Sequence, residues 1–407
     1  MGTLHEDGAG APRMDLNSMA RELLEGLLNA MMDEQASELG AVRNGYRERK
    51  LDTCVGQVTL RIPKLREGSY FPDDIVEKRS RTDTALASAV CDMWAAGVST
   101  RKVEKVMADM GVESMSRSRV SRLCASLDGE VAELKGCDLS WQRWPYLWLD
   151  ATYVPCREAK AARSTAIVSA VAAGEDGSRS VVALECVDCE SYLSWRGFLL
   201  GLRERGLDGV RLVVSDAHAG LARAIRESFP GAAWQRCIAH LERNVMERCR
   251  RKGDGAAAVA ALKAAFGEVD PALVEAGYGQ AVESLAELDE AAAELLEEAR
   301  PFALNYLAFP PEHRHWIRTN NIQERMNAEI KRRTRVVQVL PSVDSLLRLV
   351  GAVCCDQNDA WASAKNFIDR RSLAQDYRPA PRGDRSSEAP AFARVVREAF
   401  DKRRQAA

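Results

Sequence analysis

The chain has 407 residues, 46% of them hydrophobic and 29% charged, and its formal net charge is -2. That length can bury a sizeable core in two or more domains, and the balance is that of an ordinary soluble protein. No apolar run approaches the roughly 20 residues that span a bilayer. The polar, Gly-rich start, Met1–Arg13, lacks the apolar centre of a secretory signal, so a flexible tail on a cytoplasmic protein is expected. The 11 scattered cysteines would then stay reduced and pack as small hydrophobes.

In chain order, Asp15–Leu39 predicts a helix, because Leu23, Leu24, Leu27, Leu28 and Met31 recur at helical spacing. Beyond the turn at Asn44-Gly45, Thr53–Pro63 alternates at Val55, Val58, Leu60 and Ile62, which predicts a short hairpin. A helical unit follows: Asp83–Ala96, ended by Gly97; Arg101–Met110, capped by Ser99 or Thr100 and ended by Gly111; and a third helix from Ser116 or Ser118 to about Leu127. The last two fit a helix-turn-helix whose basic face, Arg117, Arg119 and Arg122, suits phosphates and base edges. A plain solvated helical hairpin is the alternative.

From Trp144 the pattern changes. Apolar strands are predicted over Tyr146–Leu149, running into Asp150, and over Ala166–Ala173, Val181–Val187, Arg211–Val214 and Ala232–Cys237, with helices over Ser191–Arg205 and Ala219–Ser228. That order predicts a mixed sheet with flanking helices. Leu241–Tyr306, rich in Ala, Leu and Glu, reads as a helical insertion. Asn321–Arg332 and Val343–Asn358 read as helices, the polar stretch after Arg371 as a linker, and Ala391–Arg404 as a short terminal helix.

Charge is unevenly spread. Glu268–Glu298 is acidic, whereas Arg318–Arg335 holds six Lys or Arg against two Glu. A polyanion feels the local field, so the net charge does not exclude DNA.

Two carboxylates, Asp150 and Asp216, each directly follow an apolar strand. Neighbouring strand ends would bring them together, and such a pair repels itself unless protonated or bridged by cations. Hard oxygen ligands of this kind suit Mg²⁺. For Asp216 a second role is open, the cap of the helix starting near Ala219.

The blocks around these residues carry a family resemblance. Tyr146–Tyr153, with Asp150 at its centre, resembles the first-aspartate strand of the Mutator-type bacterial insertion-sequence transposases. Ser215–Gly220 resembles their second block, Trp234–His240 their C-x-x-H block, and Arg318–Asn327 with Glu329–Arg335 their glutamate block. Asn44–Arg49 also matches, so the resemblance runs from about Asp15 to Asn366. It departs at Ala217, often Gly, and at Ile322, often Pro; neither change removes a ligand.

The resemblance implies an α/β fold. An RNase H-like mixed-sheet catalytic core with an all-helical insertion would follow a mainly helical DNA-binding N-terminal region. Its boundaries are a tail over 1–14, the DNA-binding region over 15–140 with the helix-turn-helix near 83–127, the core over 141–240 and 311–371, the insertion over 241–310, and a linker and tail over 372–407. It also implies an Asp150, Asp216 and Glu324 triad holding two Mg²⁺, with Mn²⁺ as a substitute. Two such ions activate the attacking hydroxyl and stabilise the leaving oxygen. The partners implied are double-stranded DNA, as terminal inverted repeats and as target, and further copies of the chain in a homodimer or larger assembly. The place of action is the bacterial cytoplasm, at the nucleoid.

Several residues have support roles open to them. His218 either contacts the scissile phosphate or the leaving strand, or only hydrogen-bonds near a helix start. Cys237 and His240 brace the catalytic floor, touch DNA or simply pack. Cys186 and Cys189 with Cys237 and His240 have zinc-ligand chemistry, but Cys186 sits in an alternating apolar run and reads as core. Asn321 lies beside the glutamate; Arg325 holds a phosphate or orients Glu324. Glu329 is five residues on, about 500° round a helix, and so off the glutamate's face. Arg318, Lys331, Arg332, Arg333 and Arg335 would track the DNA backbone. His313, His315 and Trp316 would pack or stack on a base. The rival functions are a metal nuclease with the same core but no strand transfer, and a non-catalytic DNA-binding regulator.

Overall fold

The computed structural model describes residues 4–6, 12–40, 42–76, 78, 80–158, 161–374 and 384–406. The chain forms two compact units, residues 1–129 with 335–337, and residues 130–334 with 338–407. Among the described residues no helix is long and apolar enough to cross a membrane.

In the first unit, β1 (Leu4–Glu6) pairs antiparallel with β2 (Pro12–Met14), a pairing within the stretch expected to be a tail. Helix α1 (Leu16–Glu38) starts at Asp15, whose carboxylate accepts the Asn17 amide at 3.1 Å. The hairpin is longer than expected. Its strands are β3 (Arg43–Thr53) and β4 (Gly56–Leu65). The alternating run at Val58, Leu60 and Ile62 is β4 alone, and all three bury against Met32 of α1 and Leu51. Its partner was illegible because Arg43–Lys50 is polar and largely exposed. The expected turn at Asn44-Gly45 is instead the site of a register shift in β3, where Gly45 takes φ 83°. Polar side chains of α1 serve the β4 backbone. Glu25 accepts the Thr59 amide at 2.9 Å, and Asn29 accepts the Arg61 amide at 2.7 Å.

Helices α2 (Thr84–Ala95), α3 (Thr100–Asp109) and α4 (Arg117–Leu123) follow the expected order. Gly97 and Gly111 take φ 90° and 81° in the breaks, and the Ser99 hydroxyl accepts the Lys102 amide at 3.3 Å. Arg117 and Arg122 are exposed. Arg119 departs from the expected basic face. Its guanidinium lies 2.5 Å from the buried Asp52 carboxylate and donates to Thr82 Oγ1 at 2.7 Å. It anchors the helix to the hairpin rather than facing solvent.

After α5 (Leu127–Gly136), the second unit is built on β5 (Tyr146–Glu158), β6 (Ala161–Ala173), β7 (Arg179–Val187), β8 (Leu212–Ser215) and β9 (Ala233–Arg236). The order is β7-β6-β5-β8-β9; β7-β6-β5 pair antiparallel, and β5-β8-β9 parallel. Helices α6 (Tyr192–Glu204) and α7 (Ala219–Ser228) cover one face. Trp195, Leu199, Leu221 and Ile225 pack there on Leu147, Leu149 and Val213. Strand β8 and the Tyr146–Leu149 part of β5 are buried on both faces, which is why they read as continuous apolar runs.

The insertion holds α8 (Ile238–Arg248), α9 (Lys252–Gly267), α10 (Pro271–Ala286) and α11 (Glu290–Ala303). Helices α12 (Pro311–Ile317), α13 (Asn321–Val337), α14 (Val343–Ala362), α15 (Arg370–Leu373) and α16 (Ala389–Gln405) complete the chain. The short terminal helix expected over 391–404 is α16, and it packs on α9 and α10. Val396 and Phe400 are buried, and a side chain at Gly277 of α10 would meet Phe392 at 2.9 Å. Arg397 grips the Glu287 carboxylate at 2.7 and 2.8 Å. The acidic insertion thus attracts the basic end of the chain.

Candidate active site

Pairing between β5 and β8 stops at Trp148 and Val214, so Asp150 and Asp216 both lie just past the paired segment on neighbouring strands. Asp216 does not cap α7. His218 holds that position, its Nδ1 accepting the Leu221 amide at 3.2 Å, while the nearest amide to Asp216 is that of Ala217, at 2.6 Å. The cap reading of Asp216 is thereby corrected, and His218 has the local hydrogen-bonding role.

Glu324 sits in the first turn of α13, and three amides dock that helix on β5. Asn320 donates to the Leu149 carbonyl at 2.9 Å, and Gln323 to the Trp148 carbonyl at 2.9 Å. Asn327 donates to Asp150 Oδ2 at 2.7 Å. Residues spaced i, i+3 and i+7 share one helix face, so the stripe holds the carboxylate-bearing turn over the strand that carries Asp150. Sequence reading missed this stripe. Its only signal was three amides at helical spacing in a charged helix. Asn321, the neighbour expected to support the glutamate, is exposed.

Cys237 is buried and its sulfur accepts the Asn320 amide at 3.1 Å. Burial pushes its thiol up to about 11, so it is a packing and bracing group rather than a nucleophile. Cys186 lies on β7 and Cys237 just past β9, at opposite edges of the sheet and about 19 Å apart at four strand spacings, so they cannot share one zinc ion. His240 Nε2 lies 3.8 Å from Glu324 Oε1, and Arg243, not anticipated from sequence, donates to the same oxygen. The two are one turn apart on α8 and meet the glutamate together.

Electrostatics ties the carboxylates together. Asp150 is pushed up to about 7, first by burial and then by the negative charges of Asp216, Glu324 and Glu190, against the Ala151 amide. Glu190, in the β7–α6 connection, is a fourth carboxylate that sequence reading missed. Among the described residues no three acidic, His or Cys side chains stand close enough together to hold an ion. The chemistry of the donors nevertheless fits a hard divalent cation: they are carboxylate oxygens whose negative charges raise the proton affinity of Asp150, and Glu324 already draws the Arg243 guanidinium.

Glu329 is engaged elsewhere, paired with Arg332 at 2.6 Å and Arg333 at 2.8 Å, which hold its carboxyl down to about 2. Two further basic residues depart from the expected DNA track. Arg333 is mostly buried between Glu329 and Asp356, and Arg318 donates to the Phe266 carbonyl inside the unit. Lys331, Arg332 and Arg335 are exposed. His313 is a core residue, hydrogen-bonded at 2.6 Å to both Tyr146 and Ser372, and burial holds its imidazole down near 4.

A folded-state carboxyl above its unfolded value binds extra protons between the two values, so stability falls as pH rises through that window. For metal-free protein, stability is therefore expected to fall from about pH 4 to about pH 7 through Asp150. Asp150→Asn, which keeps an acceptor for Asn327, should flatten the fall. Thermal melting across that range checks this; equal slopes would remove Asp150 as the cause.

The residues 12–364 match the model of the family described as Transposase, Mutator family. The transposase for insertion sequence element IS1081 of Mycobacterium tuberculosis is 36% identical over 351 residues, covering 86% of this chain and 84% of that one. The transposase for ISRM5 of Rhizobium meliloti is 33% identical, covering 88% and 92%. That for IS256 in transposon Tn4001 of Staphylococcus aureus is 31% identical, covering 87% and 94%. A Drosophila P element transposase strand transfer complex aligns with a TM-score of 0.30 at 12% identity, over 82% of this chain and 92% of that one. The chain belongs to the Mutator family of transposases.

Proposed function

We propose that this protein cuts DNA at the inverted-repeat ends of an insertion sequence and joins the freed ends to target DNA. The observation that carries this reading is Asp150 beside Asp216 just past the point where β5 and β8 part, with α13 docked so that Glu324 adds its negative charge at Asp150. The mixed strand order, three antiparallel strands continued by two parallel ones, supports an RNase H-like core. Asp150, Asp216 and Glu324 would hold two Mg²⁺, or Mn²⁺ in their place. When bound, such ions supply charge stabilisation at the attacking and leaving oxygens of the phosphodiester. The chain's own groups do the rest. Asn320, Gln323 and Asn327 fix α13 on β5, Asn327 orients the Asp150 carboxylate, and His240 and Arg243 orient Glu324. Lys331 and Arg332 offer exposed charge to phosphates.

Helices α2 to α4 would read the inverted repeats as a helix-turn-helix, through Arg117 and Arg122. Joining two ends calls for a dimer or larger assembly on DNA. Incubation with labelled repeat ends, target plasmid and Mg²⁺ tests the whole reading. Joined products are expected; nicks without joining would replace the transposase reading by that of a nuclease, and binding without either would leave a regulator.

A further inference from the structure

One cavity, of about 280 Å³, lies beside the first turns of α13 and has no part in the machinery described above. Trp316, Trp361 and Phe367 form its walls, with Arg179 and Arg325 on its rim. The Trp316 and Phe367 rings lie 4.7 Å apart, and the Arg179 guanidinium sits 4.6 Å over Trp361 and 4.4 Å over Phe367. Trp316 is 41% exposed, which a core indole would not be.

Two features say what the cavity is built to take. Among the described residues neither Arg179 nor Arg325 has a carboxylate partner, and each lies close enough to the other to depress the basicity of Arg179, after burial. Two unneutralised guanidiniums on one cavity call for an anion. An exposed indole beside them calls for a flat ring. An apolar ligand would satisfy only the walls, and an inorganic anion only the rim. A nucleotide answers both, and the volume suits one base rather than a base pair.

We propose that this cavity receives one unpaired nucleotide of the DNA, its base stacked on Trp316 and its phosphate held by Arg179 and Arg325. This rests on the proposed action on DNA. The site adjoins the Glu324 turn, since Asn321, Ile322 and Arg325 also line it. A strand leaving the carboxylates could therefore be gripped there by an unstacked base.

The test uses the full chain and a single-stranded tetranucleotide with one 2-aminopurine, whose fluorescence falls on stacking. Wild type is expected to quench it. Trp316→Ala should weaken binding about tenfold or more and abolish quenching, whereas Trp316→Phe should keep most of both. Arg325→Ala, an exposed substitution that spares the fold, should weaken binding several-fold and reduce the salt slope by about 0.7. Unchanged affinity in both Trp316→Ala and Arg325→Ala would overturn the proposal. So would a wild-type protein that cleaves repeat ends but does not quench the oligonucleotide. Trp316-dependent quenching without cleavage or joining of any duplex would leave the pocket standing and refute the transposase reading instead.

Discussion

Replacing Asp150, Asp216 or Glu324 singly by alanine is expected to lower DNA cleavage by roughly a thousandfold or more, while binding to repeat ends is retained. The size follows from the several kcal/mol of transition-state charge stabilisation that divalent ions supply, at about 1.4 kcal/mol per factor of ten. Asp216 and Glu324 carry little structural duty that alanine would remove, and Asp150 loses its hydrogen bond from Asn327 while Asn320 and Gln323 still dock α13 on β5. Asp216 is not the cap of α7, and Glu324 meets the exposed Arg243 guanidinium and the His240 ring rather than the core. Asp150 is the most buried, and its loss relieves a desolvated charge rather than creating one. Glu329→Ala is the matched control, because its carboxylate is held by Arg332 and Arg333 away from the strand ends. Gel-based cleavage and mobility-shift assays on the same preparations read both arms. Full activity in any one triad variant would break the triad assignment, and loss of activity in Glu329→Ala with an intact fold would reopen the choice of glutamate.

Arg119→Ala is expected to destabilise the first unit by about 3 kcal/mol, as removal of one partner of a buried ion pair does elsewhere. Asp52 is 2% exposed and keeps only the Gln57 amide and the Ser114 hydroxyl once Arg119 is gone. The buried carboxylate is left with two neutral donors in place of its cation, and the Thr82 contact is lost as well. Pairing the change with Asp52→Asn should recover part of the stability, because the stranded charge is removed. Arg117→Ala, by contrast, breaks an exposed contact with Glu104 at 3.6 Å and should be nearly neutral for stability. Thermal melting of the variants in the full chain reads the change. A stable Arg119→Ala protein that no longer binds repeat ends would return Arg119 to the DNA-contacting face.

These two expectations mark where sequence patterns carry information and where they stop. The strands of the five-stranded sheet were legible because burial on both faces makes Tyr146–Leu149 and Leu212–Val214 unbroken apolar runs. The helices of the N-terminal unit were legible because Gly97, Gly111 and Ser99 punctuate them with backbone conformations and caps that few other residues supply. Strand β3 was not. Its polar outer face carries no alternation, and its existence depends on pairing with β4, a non-local contact. Helix α16 was legible as a helix, but its packing was not, for a related reason. Its amphipathic face makes sense only against α9 and α10, more than a hundred residues earlier. Charged side chains were the least legible group. Arg117 and Arg119 are two residues apart in one helix, yet one faces solvent and the other a buried carboxylate.

The carboxylates show the same division. Composition and local pattern alone determined that Asp150 and Asp216 each directly follow an apolar run, and the sequence blocks pointed to Glu324 over Glu329. That much is local, because strand ends and motif spacing are properties of short stretches of chain. Only the tertiary structure decided that the strands bearing the aspartates are neighbours, that His218 rather than Asp216 caps α7, and that Asn320, Gln323 and Asn327 bring Glu324 to them. Each of those outcomes is a contact between residues distant in the chain, and its free energy exists only once the sheet and helices have packed.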